Sequence, residues 1–158
     1  VAAPTTLEEA RAAELRYEGL AEHPFPTCFS CGTAREPGDA LCLRPGPLDD
    51  GTGRYATSWG VPVDGIGVAL VWAALDCPGG WAAGVAGRPM VLGTMTAVVD
   101  ALPEPGSTCV VTAWQTAAEG RRHWSASTLH SPTGDLLARA AAVWVAVDPT
   151  SVRPQERP

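Results

Sequence analysis

The sequence predicts an α+β fold in which an antiparallel sheet wraps around one long buried helix. Three observations predict it. The stretch Gly65 to Trp81, GIGVALVWAALDCPGGW, carries no polar side chain between Ile66 and Leu75. A helix that is apolar all round is buried on every side, and this one falls short of the about 20 apolar residues that a bilayer span needs. After it, the apolar period changes from 3.6 to 2, the mark of strands. Before it, Tyr55, Thr57 and Trp59 alternate with Ala56 and Ser58, which predicts a strand from Arg54 to Val61. The order is β-α-β-β-β-β. Four consecutive strands joined by short turns predict a meander that curls around the helix.

Each element has a local reason. Thr6-Leu7-Glu8-Glu9 matches a capping box and opens an amphipathic helix that runs to about Leu20. His23 to Gly32, HPFPTCFSCG, holds two prolines and predicts a rigid extended loop. Arg35 to Gly53 is rich in Pro, Gly and Asp and reads as turns, with Leu41-Cys42-Leu43 as a short candidate strand. Pro78 has no backbone donor and predicts a kink or an end to the buried helix. The later strands are Pro89 to Leu102, Ser107 to Ala117, Arg121 to His130 and Asp135 to Val147. Leu137, Ala141, Val143, Val145 and Val147 share one face of the last strand. Trp114, Trp124 and Trp144 fall in three successive strands, where they fill a sheet–helix interface or a dimer contact. Three parts follow: residues 1–53 as a helix and Pro/Cys-rich segment packed on the domain, 54–148 as the domain, and 149–158 as a loose tail.

Composition narrows the function. A chain of 158 residues suits one core. A net charge of −6 argues against a nucleic-acid surface, which needs a basic patch. No basic-apolar leader opens the sequence, and no apolar run is long enough for a membrane, so the expectation is a cytoplasmic protein. Five cysteines cannot all pair within one chain, which favours reduced thiols or a metal site.

Two stretches carry candidate chemistry. Asp76 is the lone carboxylate of the apolar helix, on the face of Ala69, Trp72, Ala73 and Gly80. A carboxylate there must be hydrogen-bonded, paired or protonated. It is either catalytic or a structural acid that tethers the His23–Gly32 loop. Gly79 and Gly80 allow backbone or ligand to come close. In the loop, Cys28 and Cys31 have the C-x-x-C spacing that lets two thiolates reach one metal ion. His23 is a candidate third ligand, and Cys42, an acid such as Asp76, or water a candidate fourth. A redox pair, or a bland loop with two small buried thiols, gives the same spacing.

The order of elements over Arg54 to Asp148 resembles the hotdog-fold thioesterase superfamily. The motifs His23 to Gly32, Val71 to Trp81 (VWAALDCPGGW) and Val91 to Thr94 (VLGT) resemble an actinobacterial-type branch of acyl-CoA thioesterases within it. The resemblance implies a homodimer, or a dimer of dimers, with active sites between the buried helix of one subunit and strands of the other. It also implies an acidic residue or Asn on that helix as nucleophile or general base, a role that falls to Asp76. The His-Gly-Gly step of many hotdog hydrolases is absent at the helix start; the comparable glycines follow the acid.

The expectation is an acyl-thioester hydrolase acting on acyl-CoA or an acyl carrier protein. Asp76 is the base, with Thr94 or Thr96 orienting water or substrate. Backbone donors of Gly79, Gly80 and Trp81 are the candidate substrate and oxyanion site. His123 and His130 fall on opposite strand faces and read as solvent-facing. Hydrolysis requires no cofactor; zinc at His23, Cys28 and Cys31 is the candidate metal. The alternatives are a non-catalytic acyl-thioester binding protein, or another reaction on a tethered acyl chain such as dehydration, for which no His partner stands near the helix.

Overall fold

The computed structural model describes residues 4–152. Helix α1 (Leu7–Glu14) starts at Thr6, whose side chain accepts from the Glu9 amide while the Glu9 carboxylate accepts from the Thr6 amide. The capping box is therefore real, but the helix stops at Glu14, and a separate 3-10 turn (Glu18–Leu20) follows. The strands are β1 (Gly46–Pro47), β2 (Tyr55–Gly60), β3 (Met90–Val99), β4 (Thr108–Glu119), β5 (Arg122–His130) and β6 (Leu136–Ala146). Between β2 and β3 runs the long helix α2 (Val68–Ala82). Leu41 to Leu43 forms no strand; the amides of Leu41 and Leu43 donate instead to the carbonyls of Phe29 and Ser30.

The sheet has the order β1-β2-β4-β5-β6-β3, antiparallel throughout. This corrects the expected four-strand meander. Only β4, β5 and β6 follow one another; β3 pairs with β6 and leaves the gap beside β2 to β4. The cause is α2, which carries the chain across the sheet face to the far edge before β3 begins. The turn at Pro103 to Gly106 then leads back to β2, where the Val61 amide donates to the Ser107 carbonyl.

One face of the sheet packs on α2. Trp59 from β2, Cys109 and Val111 from β4, Leu129 from β5 and Ala138 from β6 meet Val71, Ala74 and Leu75 of the helix. The other face is covered in part by α1, where Ala10 and Ala13 lie on Ala56 and Val110. Alternation sends Trp144 to the α2 face and leaves Trp114 and Trp124 half-buried on the opposite one. The stripe Ala141, Val143 and Val145 also lies opposite α2, because Ala140, Ala142, Trp144 and Ala146 are the buried set of β6.

Helix α2 does not end at Pro78 but continues to Ala82. A proline inside a helix leaves the carbonyl four residues back without its donor and loosens the neighbouring bonds. Two serines support that turn from opposite sides. Ser30 of the loop donates to the Ala73 carbonyl at 2.8 Å, and Ser127 of β5 donates to the Leu75 carbonyl at 2.8 Å. Nor is α2 buried on every side within one chain. The sheet covers Val71, Ala74, Leu75 and Gly79 to Trp81, while Val68 stays 50% and Trp72 37% exposed.

Gly79 and Gly80 face the sheet. A Cβ at Gly79 would run into the Ser125 hydroxyl, and one at Gly80 would stand 3.0 Å from the Trp144 ring. The pair lets α2 settle directly on β5 and β6. Gly79→Ala sets two effects against each other: alanine gains about 1 kcal/mol of helix propensity, and overpacking costs about 1–3 kcal/mol. The Ser125 hydroxyl also accepts from the Trp144 indole at 3.0 Å, and displacing it breaks that bond. The clash wins, so Gly79→Ala lowers the urea midpoint; a rise in the midpoint would show that the sheet yields freely at Ser125.

Candidate active site

The C-terminal half of α2, the His23–Cys31 loop and the start of β3 enclose a cavity of about 220 Å³. Asp76 and Cys77 come from the helix, Cys28 and Cys31 from the loop, and Val91 and Leu92 from the strand. Each is placed for a local reason. Asp76 and Trp72 stand one turn apart on the part of α2 that the sheet leaves uncovered. The loop is held against α2 by the Ser30–Ala73 bond and by a tight turn in which the Gly32 amide donates to the Cys28 carbonyl at 2.9 Å. Any Cβ at Gly32 would stand 2.5 Å from the carbonyls of Cys28 and Pro26, so that turn admits glycine alone. A register shift between Leu92 and Thr94 marks the point where β3 leaves the cavity wall.

Asp76 is the electrostatic outlier. Its Oδ1 is out of solvent contact and has no hydrogen-bond partner. Burial, and then the nearby Cys28 sulfur, push its pKa up to about 6. No described Arg or His pairs with it.

Beside it stand three thiols. The Sγ atoms of Cys28, Cys31 and Cys77 all lie within 4.8 Å of one another, with Cys28 and Cys77 at 3.5 Å. The neighbouring Cys31 and then Cys77 thiols hold the Cys28 pKa below the usual thiol range. Closeness to Cys28 pushes Cys31 and Cys77 up. The Trp81 indole donates to Cys31 Sγ at 3.4 Å, and the Tyr17 hydroxyl donates to the Cys31 carbonyl at 2.8 Å. Tyr17 and His23 both meet the Trp81 ring edge to face, with centroids 4.8 and 5.1 Å away.

The expected site residues thus separate. Asp76, Cys28, Cys31, His23, Gly80 and Trp81 share one cavity. Thr94 does not join them: it is exposed on β3 opposite Val143, on the face turned away from α2, and Thr96 follows it there. Gly79, Gly80 and Trp81 lie within α2, so their amides belong to the helical ladder and offer no oxyanion site. His123 is a further correction. It is 5% exposed, pointing to the α2 face with Gln115 Nε2 3.1 Å from its Nδ1, because Trp144 and Ala118 flank it across the sheet. His130 is half-buried on the other face. Cys42 lies apart, with its Sγ toward the Arg35 carbonyl. The residue that spacing did not single out is Cys77. Its signal was its position next to Asp76 on an apolar helix, and the contact it makes spans 49 residues of sequence.

No family model matches the chain, and no curated protein does. Solved structures do match in fold. The E. coli PaaI protein from the phenylacetic acid degradation operon is 12% identical at a TM-score of 0.65, over 89% of this chain and 96% of that one. A thioesterase superfamily protein is 14% identical at 0.58, over 67% of this chain; this chain spans only 54% of its length. A Streptococcus mutans protein solved bound to acetyl CoA is 11% identical at 0.55, over 60% and 82%. The chain therefore has the hotdog fold of thioesterase-superfamily structures. The narrower branch rests on the sequence motifs alone. No described helix is long and apolar enough to cross a membrane.

A carboxylate with a buried, unpartnered oxygen costs stability. Asp76→Asn removes the charge at almost constant volume. It is expected to stabilise the fold at neutral pH by about 1–3 kcal/mol, read from urea unfolding with wild type alongside. An unchanged or lowered midpoint would mean that the carboxylate already has a partner.

Proposed function

We propose that this chain is an acyl-thioester hydrolase, acting on acyl-CoA or acyl-carrier-protein substrates as a homodimer with Asp76 at the subunit boundary. The observation that carries this reading is Asp76 itself: an orphaned carboxylate on the wall of an apolar cavity that opens at the sheet edge. A base held out of water is a stronger proton acceptor than one in solvent. In the reaction, Asp76 takes a proton from water as the water oxygen bonds to the thioester carbonyl carbon. The carbon–sulfur bond then breaks, and the departing thiolate takes the proton back from Asp76. The fold shared with a protein solved bound to acetyl CoA supports a thioester as ligand.

Three features support the dimer. Strand β3, with 10 residues, is an unpaired edge of the sheet. Val91 and Leu92 on it, and Trp72 on α2, are exposed apolar side chains. A long edge carrying exposed apolar residues is a pairing surface. The amides of Gly79 to Trp81 lie within α2, so oxyanion stabilisation falls to donors outside it, a role that strands of a partner would fill.

Thiol release from a panel of short, long and aryl acyl-CoAs tests the reaction. Asp76→Asn is expected to lower kcat by about 10²–10⁴-fold with an unchanged circular dichroism spectrum. Full activity in that variant would remove Asp76 from the chemistry. Retention of acyl-CoA with no turnover would make the chain a binding protein. For the assembly, wild type is expected to sediment as a dimer and Leu92→Glu as a monomer; a monomeric wild type would overturn the boundary placement of Asp76.

A further inference from the structure

The three thiols are unused by that hydrolytic reading, and they stand independently of it. They come from two segments far apart in sequence. Cys28 and Cys31 lie on a loop turn that only Gly32 can close, and Cys77 lies on α2. Their sulfurs converge on one point of the cavity wall. A tetrahedral zinc ion with Zn–S bonds of about 2.3 Å sets its sulfurs roughly 3.8 Å apart. Cys28 and Cys77 are already at 3.5 Å and no pair exceeds 4.8 Å, so an ion needs to draw the three sulfurs together by about an ångström at most.

The surroundings are those that thiolates need. Cys31 Sγ has two N–H groups near it, the Trp81 indole at 3.4 Å and His23 Nε2 at 3.5 Å. His23 is a donor here, not a ligand. Its Nδ1 accepts from the Phe25 amide at 2.9 Å, which places the ring proton on Nε2. That proton points to the Cys31 carbonyl at 3.1 Å and to the sulfur beside it. Donors to coordinating sulfur disperse its charge and tune a metal site.

We propose that Cys28, Cys31 and Cys77 bind one zinc ion as three thiolates, with His23 and Trp81 as hydrogen-bond donors to the Cys31 sulfur. Three soft thiolates select zinc over the hard cations. All three cysteines line the cavity, so the fourth tetrahedral position opens to the space that Asp76 also lines. This replaces the set His23, Cys28 and Cys31 that sequence spacing suggested. Cys42 and Cys109 take no part: Cys42 points to the Arg35 carbonyl, and Cys109 is in the core between the sheet and α2.

The test uses untagged protein purified under reducing conditions, with elemental analysis and then zinc or cobalt titration of the chelator-stripped protein. One zinc per chain is expected, and the cobalt form should show thiolate-to-cobalt charge-transfer absorption. Cys28→Ser, Cys31→Ser and Cys77→Ser should each weaken binding by about 100-fold or more, and His23→Gln by about 10-fold. Cys42→Ser should leave affinity unchanged. A measurement on wild type alone guards against misfolded variants: zinc should protect Cys28, Cys31 and Cys77 from alkylation, and stripping should expose them. Reduced protein that takes up no zinc overturns the proposal. So does full affinity in Cys77→Ser, or a Cys28–Cys77 disulfide found by mass spectrometry in place of metal.

Discussion

Helix α2 can sit on the sheet only because two of its residues have no side chain. Where Gly79 and Gly80 pass over Ser125 and Trp144, backbone meets side chain with no room between them. The rest of the architecture follows from that approach. The helix has to be held close along one end, so Pro78 can be tolerated inside it, with Ser30 and Ser127 hydroxyls at the flanking carbonyls. It crosses the sheet to reach the far edge, so β3 pairs with β6 and not with β4. Its uncovered side is then the wall on which Trp72 and Asp76 stand. A helix that packed further out would open the cavity to solvent and hydrate Asp76.

Packing and chemistry compete along this one element. The side of α2 that meets the sheet is well packed: Leu75 and Ala74 are buried in the core, and the Leu75 carbonyl accepts from Ser127 of β5. One turn round the helix, Asp76 Oδ1 is buried without a partner and three thiols are pressed together. An unpartnered carboxylate oxygen beside a cluster of thiols on one cavity wall is the pattern of a candidate functional site. Two exposed apolar residues of β3, Val91 and Leu92, line the same cavity.

What was legible in the sequence was local. The capping box at Thr6, the apolar run of α2 and the alternation in β2 depend on neighbours within a turn or two, and the structure repeats them. What was not legible was pairing over distance. Nothing in β3 says that Thr96 lies opposite Ala141, so four strands in a row read as a meander. Proline was read by its local rule, and two serines far away in sequence overrode it. The glycines after Asp76 signalled close approach, and the side chains that come close to them are Ser125 and Trp144. Thr94 was placed by proximity to the helix in sequence; a register shift and strand alternation turned it to the opposite face.

The cysteine loop shows the same limit from the other side. The spacing of Cys28 and Cys31 gave two sulfurs on one turn, and chain proximity suggested His23 as the next group. Geometry exchanges those roles. His23 cannot offer Nε2 as a ligand while Nδ1 holds the Phe25 amide, and the third sulfur arrives from α2. The exchange joins two motifs that the sequence presents as separate, the CFSC loop and the DCPGG turn of the helix. Asp76 and Cys77 are adjacent, so the carboxylate and the sulfur cluster are fixed by the same turn of α2. Moving one moves the other, and any group that enters the cavity meets both.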